Sequence, residues 1–249
     1  MANSEPSARV RSGVFLVGPA VAAGCLMAIL WPLFALGDTP TILPVLVVGV
    51  AWTGQLWYVN YAVGANSTLG RLGLANTLTI LRGALYAVVA GFVVVPAGTA
   101  LAWVPAVCYG AGVLVDRLDG AVARTVGRET ELGRRLDMAF DTFGFVAAPL
   151  VAVVWGLLPA YYLLLSAARY VFVAAVGLHR RRGGQVHPLP DSDLGKYLAG
   201  GQMAFVTVAL APPAPTGLVH AVAPVVLAPS LAVFARDYLY ATGRLRAED

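Results

Sequence analysis

Charge is what this chain has least of. Only 12% of its 249 residues are Asp, Glu, Lys or Arg, about half the share of an ordinary soluble domain. That shortage excludes a water-soluble globular body of this length. Cysteine is nearly absent too: Cys25 and Cys108 both fall in apolar stretches, where they act as small hydrophobes and support neither a disulfide framework nor a thiolate zinc site. The three histidines, His179, His187 and His220, show no metal-ligand spacing. No internal repeat or low-complexity tract is present. The net charge of +4 is spread over short loops, with no soluble basic face, which excludes nucleic acid as a partner.

What the chain does have is hydrocarbon. Apolar residues make up 59% of it, the mean hydropathy is +0.75, and stretches of roughly the 20 residues needed to span a bilayer recur from end to end. The pattern predicts an all-α integral membrane protein with eight spans, near 13–35, 41–59, 74–96, 100–123, 134–156, 158–179, 194–212 and 217–240. The first apolar stretch lacks a small-residue cleavage site and a second follows at once, so a removed leader is not expected. Charged residues within spans begin only at Arg82. Residues 1–60 therefore read as an N-terminal extension of about two transmembrane helices, and 61–249 as a domain with a six-helix core.

Under this map Arg9, Arg11, Arg71, the Arg124–Arg135 stretch, Arg180–Arg182, Lys196, Arg244 and Arg246 share one side. The opposite loops, around Asp38, Gly98, Leu157 and Pro212–Pro215, contain no Lys or Arg. Basic residues mark the cytoplasmic face. Both termini are thus expected in the cytoplasm, in a multi-pass protein of the cell (plasma) membrane.

Against this background four aspartates stand out, at Asp116, Asp119, Asp137 and Asp141, within or at the ends of apolar segments. A carboxylate at membrane depth costs at least ~2.5–3.5 kcal/mol. Residues three and four apart share a helix face, so Asp116 and Asp119 form one pair and Asp137 and Asp141 another. The short loop between the helices makes them antiparallel and sets the pairs opposite each other. Like charges so close raise one another's pKa, and two divalent cations would balance them. Oxygen-only ligands suit Mg²⁺, Mn²⁺ or Ca²⁺, and a metal pair is a known device for displacement at phosphorus. Gly120 and Ala123 leave room for a ligand to approach, and Arg124 offers a phosphate-binding fork. The plainer alternative pairs the aspartates with Arg82, Arg117, Arg124 and Arg134 as buried salt bridges.

The full pattern, Asp116-x2-Asp119-Gly120-x2-Ala123-Arg124-x8-Gly133-x3-Asp137-x3-Asp141, resembles the signature of the CDP-alcohol phosphotransferases at every fixed position. The resemblance covers the six-helix core and leaves residues 1–60 outside. It implies six transmembrane helices around a polar cavity open to the cytoplasm, commonly in a homodimer. It further implies transfer of a substituted phosphoryl group from a CDP-linked lipid to an alcohol, releasing CMP, with two divalent cations, Mg or Mn. By position, Asp116, Asp119 and Asp137 correspond to metal ligands. Asp141 corresponds to the residue that completes the metal site and takes the proton of the attacking hydroxyl. Gly120, Ala123 and Gly133 would line the nucleotide.

Asn76, Thr79 and Arg82 form a polar stripe at i, i+3 and i+6 and resemble the family's nucleotide-facing residues; a packing stripe with Arg82 paired to an aspartate is the alternative. Arg169 and Lys196, the latter followed by Gln202 as in some branches of the family, would contact the acceptor. Their cationic character points to a phosphorylated acceptor such as glycerol 3-phosphate or an inositol phosphate. An Arg169–Asp237 or Arg169–Asp141 pair and a snorkelling lysine are the competing readings. Serine or inositol would be the unphosphorylated acceptors. From a different class, an intramembrane-aspartate cation transporter would also explain buried carboxylates, though not the Gly120 and Ala123 gaps. A catalytically silent member of the family is the third reading, and the complete pattern argues against it.

Overall fold

A computed structural model describes residues 42–64, 74–126, 131–189 and 193–245, with the side chains of 60, 62–64, 74–77, 118–126 and 131–132 outside the description. Among the described residues there are helices and turns and no strand. The helices are α1 (Ile42–Gly64), α2 (Leu74–Gly91, continued by a 3-10 turn, Phe92–Val94), α3 (Val104–Val126), α4 (Glu131–Val154), α5 (Leu164–Arg181, preceded by a 3-10 turn, Ala160–Leu163), α6 (Asp193–Leu210) and α7 (Thr216–Ala241). Each lies over one of the expected apolar segments. The expected segment 13–35 falls outside the described residues.

Among the described residues four stretches are long and apolar enough to cross a membrane: Ile42–Val59, Gly133–Val154, Ala160–Arg181 and Thr216–Ala241. A shorter apolar stretch, Leu78–Val94, runs along α2 and its 3-10 continuation.

The chain divides into two compact units, residues 1–151 and 152–249. In the first, α2 packs against α1 and α3. α1 presents Leu46, Val50, Trp57 and Tyr61 outward, an apolar face that only lipid tolerates. It meets α2 at two glycines. A Cβ on Gly91 would stand 2.5 Å from Val48 Cγ2 and 3.2 Å from the Pro44 carbonyl oxygen, and one on Gly83 would collide with the Gln55 amide. Without a hydrophobic drive between helices in lipid, close approach at small residues supplies the packing.

The second unit holds α5, α6 and α7. α4 closes at its start: Gly156, at φ +72°, donates to Val153 O at 2.9 Å and Leu157 donates to Ala152 O at 2.8 Å, a Schellman closure that glycine favours. The core of this unit includes Tyr162, Val206, Leu210 and Ala223, all with essentially no exposure. Gln202 is buried among them. Its Nε2 donates to Val226 O at 2.7 Å and Ser230 Oγ at 2.8 Å, and its Oε1 accepts from the Tyr162 hydroxyl. Every polar atom of that amide is committed to joining α6 to α7 and to the turn before α5.

Candidate active site

Arg82 is the centre of the first unit. Its side chain has no exposure at all, yet it carries a full charge. Helix geometry places it on α2 facing α3 and α4, and three carboxylates converge on it. Arg82 Nη1 pairs with Asp116 Oδ1 and lies 3.2 Å from Asp141 Oδ1. Arg82 Nη2 donates to Asp137 Oδ1 at 2.6 Å and to the Asp137 backbone oxygen at 3.3 Å. A guanidinium suits this role because its planar fork presents several donors at fixed angles.

One carboxylate oxygen from each of Asp116, Asp137 and Asp141 lies within 4.8 Å of the other two. The helical spacing explains the convergence. Asp137 and Asp141 are one turn apart on α4, and Asp116 faces them from α3. Asp137 is the most open of the three at 44% exposure, against 25% for Asp116 and 26% for Asp141, so the cluster is reached from the Asp137 side. Three carboxylates share this one guanidinium, and hard oxygen donors at this spacing could hold a divalent cation. The site is thus chemically suited to Mg²⁺, Mn²⁺ or Ca²⁺.

Asp116, Asp137 and Asp141 therefore form ion pairs with Arg82 in this structure, the plainer of the two sequence readings; these three of the four aspartates also converge as metal ligands would. Thr79, on α2 one turn before Arg82, is buried. Gly133 lies in the first turn of α4 and is part-exposed. Asn76 on α2 and Asp119, Ala123 and Arg124 on α3 have side chains outside the described residues, and Gly120 lies in the same stretch of α3.

The residues expected at the acceptor side lie in the second unit, Arg169 on α5 and Lys196 on α6. Lys196 Nζ stands 3.0 Å from Asp193 Oδ1, with both side chains about three-quarters exposed. Asp237 is engaged by its neighbour Arg236 at 2.8 Å, so the suggested Arg169–Asp237 pair does not form. Gln202, grouped with Lys196 on sequence grounds, is the interhelical tie described above.

The sequence reading missed the layer beneath the cluster. Tyr86, fully buried on α2, follows Arg82 by one turn; Gly112 precedes Asp116 by one turn on α3; Gly144 follows Asp141 by about one turn on α4. A Cβ on either glycine would run into the Tyr86 ring, and Tyr109 packs against that ring with centroids 5.3 Å apart. The Tyr86 hydroxyl has no hydrogen-bond partner among the described residues, an arrangement that costs about 1–3 kcal/mol. The signal was present as i±3 and i±4 spacing from each charged residue.

Residues 72–234 match the family model for CDP-alcohol phosphatidyltransferases. That stretch holds the whole of α2–α6, the Arg82 cluster and most of α7, and the chain belongs to this family. No curated protein gives a significant match. The protein is accordingly a membrane transferase of substituted phosphate groups acting in phospholipid synthesis, and the cation-transporter reading is set aside. Members of the family use a CDP-linked donor and an alcohol acceptor and depend on divalent metal.

Proposed function

We propose that this chain transfers a phosphatidyl-type or archaetidyl-type group from a CDP-activated lipid to the hydroxyl of a small polar alcohol, releasing CMP. The observation that carries the reading is the gathering of Asp116, Asp137 and Asp141 around Arg82. Asp116, Asp119, Asp137 and Asp141 hold two divalent cations, Mg or Mn. Those ions, when bound, neutralise the diphosphate and acidify the attacking hydroxyl. Asn76, Thr79, Arg82, Gly120, Ala123, Arg124 and Gly133 hold the nucleotide and its phosphates.

The acceptor oxygen forms a bond to the lipid-side phosphorus as the bond from that phosphorus to the oxygen shared with CMP breaks. CMP leaves with that electron pair, and Asp141 takes the hydroxyl proton. Asp141 is suited to this by its position one turn deeper than the more exposed Asp137. A carboxylate is a weak base at neutral pH, so it works only against an acidified hydroxyl.

The acceptor is itself phosphorylated, of the glycerol 3-phosphate or inositol phosphate kind, and Arg169 and Lys196 receive its phosphate. A second reading, an unphosphorylated acceptor such as serine or inositol, is favoured by the Lys196–Asp193 pair, which already balances the lysine. Residues 61–249 form the six-helix catalytic domain of a homodimer, and residues 1–60 are an extension of about two membrane helices. Both termini and the active site face the cytoplasm at the plasma membrane.

The test is CMP release from a CDP-lipid by purified protein offered a panel of alcohols. Turnover should stop in excess chelator and return with Mn²⁺ or Mg²⁺. Turnover that persists in chelator would remove the metal role; dependence on serine or inositol alone would select the second reading.

A further inference from the structure

Three helices contribute to the cluster, and each adds a second residue one turn deeper into the bundle: Tyr86 below Arg82, Gly112 below Asp116 and Gly144 below Asp141. The two glycines are where the Tyr86 ring fits. Helical side chains lean toward the preceding turn, which for Tyr86 is the turn that carries Arg82. Its hydroxyl lies within electrostatic reach of Arg82, Asp141, Asp116 and Asp137. It is fully buried and has no hydrogen-bond partner among the described residues. Phenylalanine would fill the same space and avoid the cost of a buried, unpaired hydroxyl. The hydroxyl therefore has a use that the ion-paired arrangement does not display.

We infer that Tyr86 is a positioning residue whose phenolic O–H donates a hydrogen bond to Asp141 when that carboxylate leaves Arg82 for a divalent cation. Asp141 Oδ1 is buried and stands at the 3.2 Å edge of the Arg82 fork, farther than the Asp137 oxygen at 2.6 Å. A ligating carboxylate that also accepts a hydrogen bond from the next layer is fixed in orientation, and removal of such a partner lowers metal affinity or activity by about 10–100-fold. Tyr86 touches neither donor nor acceptor. It acts through Asp141 alone.

This inference rests on the reading that the carboxylates hold a divalent cation, and the experiment separates the two. Mn²⁺ binding to purified protein without substrate is followed by electron paramagnetic resonance, together with thermal unfolding, kcat and the KM for the acceptor. In the Tyr86→Phe variant the melting temperature should hold or rise, because a buried unpaired hydroxyl is gone. Mn²⁺ affinity should fall about 10–100-fold and kcat with it, while KM for the acceptor stays unchanged. Gly112→Ala, which pushes the ring while keeping the hydroxyl, should weaken Mn²⁺ in the same direction. An unchanged Mn²⁺ isotherm and unchanged kcat in Tyr86→Phe would reduce Tyr86 to a packing residue and overturn the inference alone. Wild-type protein that binds no Mn²⁺ would overturn the inference and the metal site together.

Discussion

Asp141→Asn should cut CMP release by about 10²–10⁴-fold, the range a positioned general base supplies, with little change in stability. The amide has the shape of the carboxylate and keeps an oxygen to accept from Arg82 Nη1, which stands 3.2 Å away. What it loses is the ability to take a proton and one negative charge toward the cation. Asp137→Asn makes the informative comparison. That side chain is the more exposed of the two at 44% and is assigned to metal binding, so its loss should be partly recovered at high Mn²⁺. Asp141→Asn should not be recovered. Equal rescue of both variants would leave Asp141 as a ligand only, and full turnover in both would end the mechanistic assignment.

Arg82→Met should be the most damaging substitution to the fold of the first unit. Methionine fits the apolar walls, but the exchange leaves Asp116, Asp137 and Asp141 facing one another without the guanidinium they share. Removing one partner from a buried charge pair costs about 3–5 kcal/mol, a large part of a total stability of about 5–15 kcal/mol. The opening at Asp137 lets water screen part of that repulsion, so the low end applies. The expected result is a protein that unfolds early in chelator and regains much of its melting temperature with Mn²⁺. Divalent cation and guanidinium then satisfy the same carboxylates by different means. A variant that melts like the wild type in chelator would show that Arg82 does not hold the cluster together.

Much of this was legible in the sequence, because the decisive information is periodic. Asp137 and Asp141, and Asp116 on the preceding helix, are placed by the 3.6-residue turn and a short loop; no long-range packing is needed to predict that they meet. Arg82 was legible as a membrane-depth charge on a polar stripe. Its partner was harder to read, since a guanidinium at that depth serves a phosphate or a carboxylate equally well. The structure shows carboxylates, three of them.

Tyr86 was not legible as part of the site, because a tyrosine in an apolar helix reads as core. Only its seat between Gly112 and Gly144, contributed by two other helices, sets it apart. Gln202 was likewise not legible as an interhelical tie. The sequence pairs it with Lys196 only as a family element, and the structure has it join three elements through Tyr162, Val226 and Ser230. Polarity at membrane depth marks a residue that must find a partner, and sequence spacing does not say whether that partner is substrate or protein.

The central claim is that Asp116, Asp137 and Asp141 form one cation site on the face of Arg82. Anomalous diffraction from crystals of the protein grown with Mn²⁺ measures it directly. The account predicts manganese density bounded by those three carboxylates, and loss of that density in Asp137→Asn crystals at the same Mn²⁺ concentration. Manganese density elsewhere, with the three aspartates still gathered on Arg82, would contradict it.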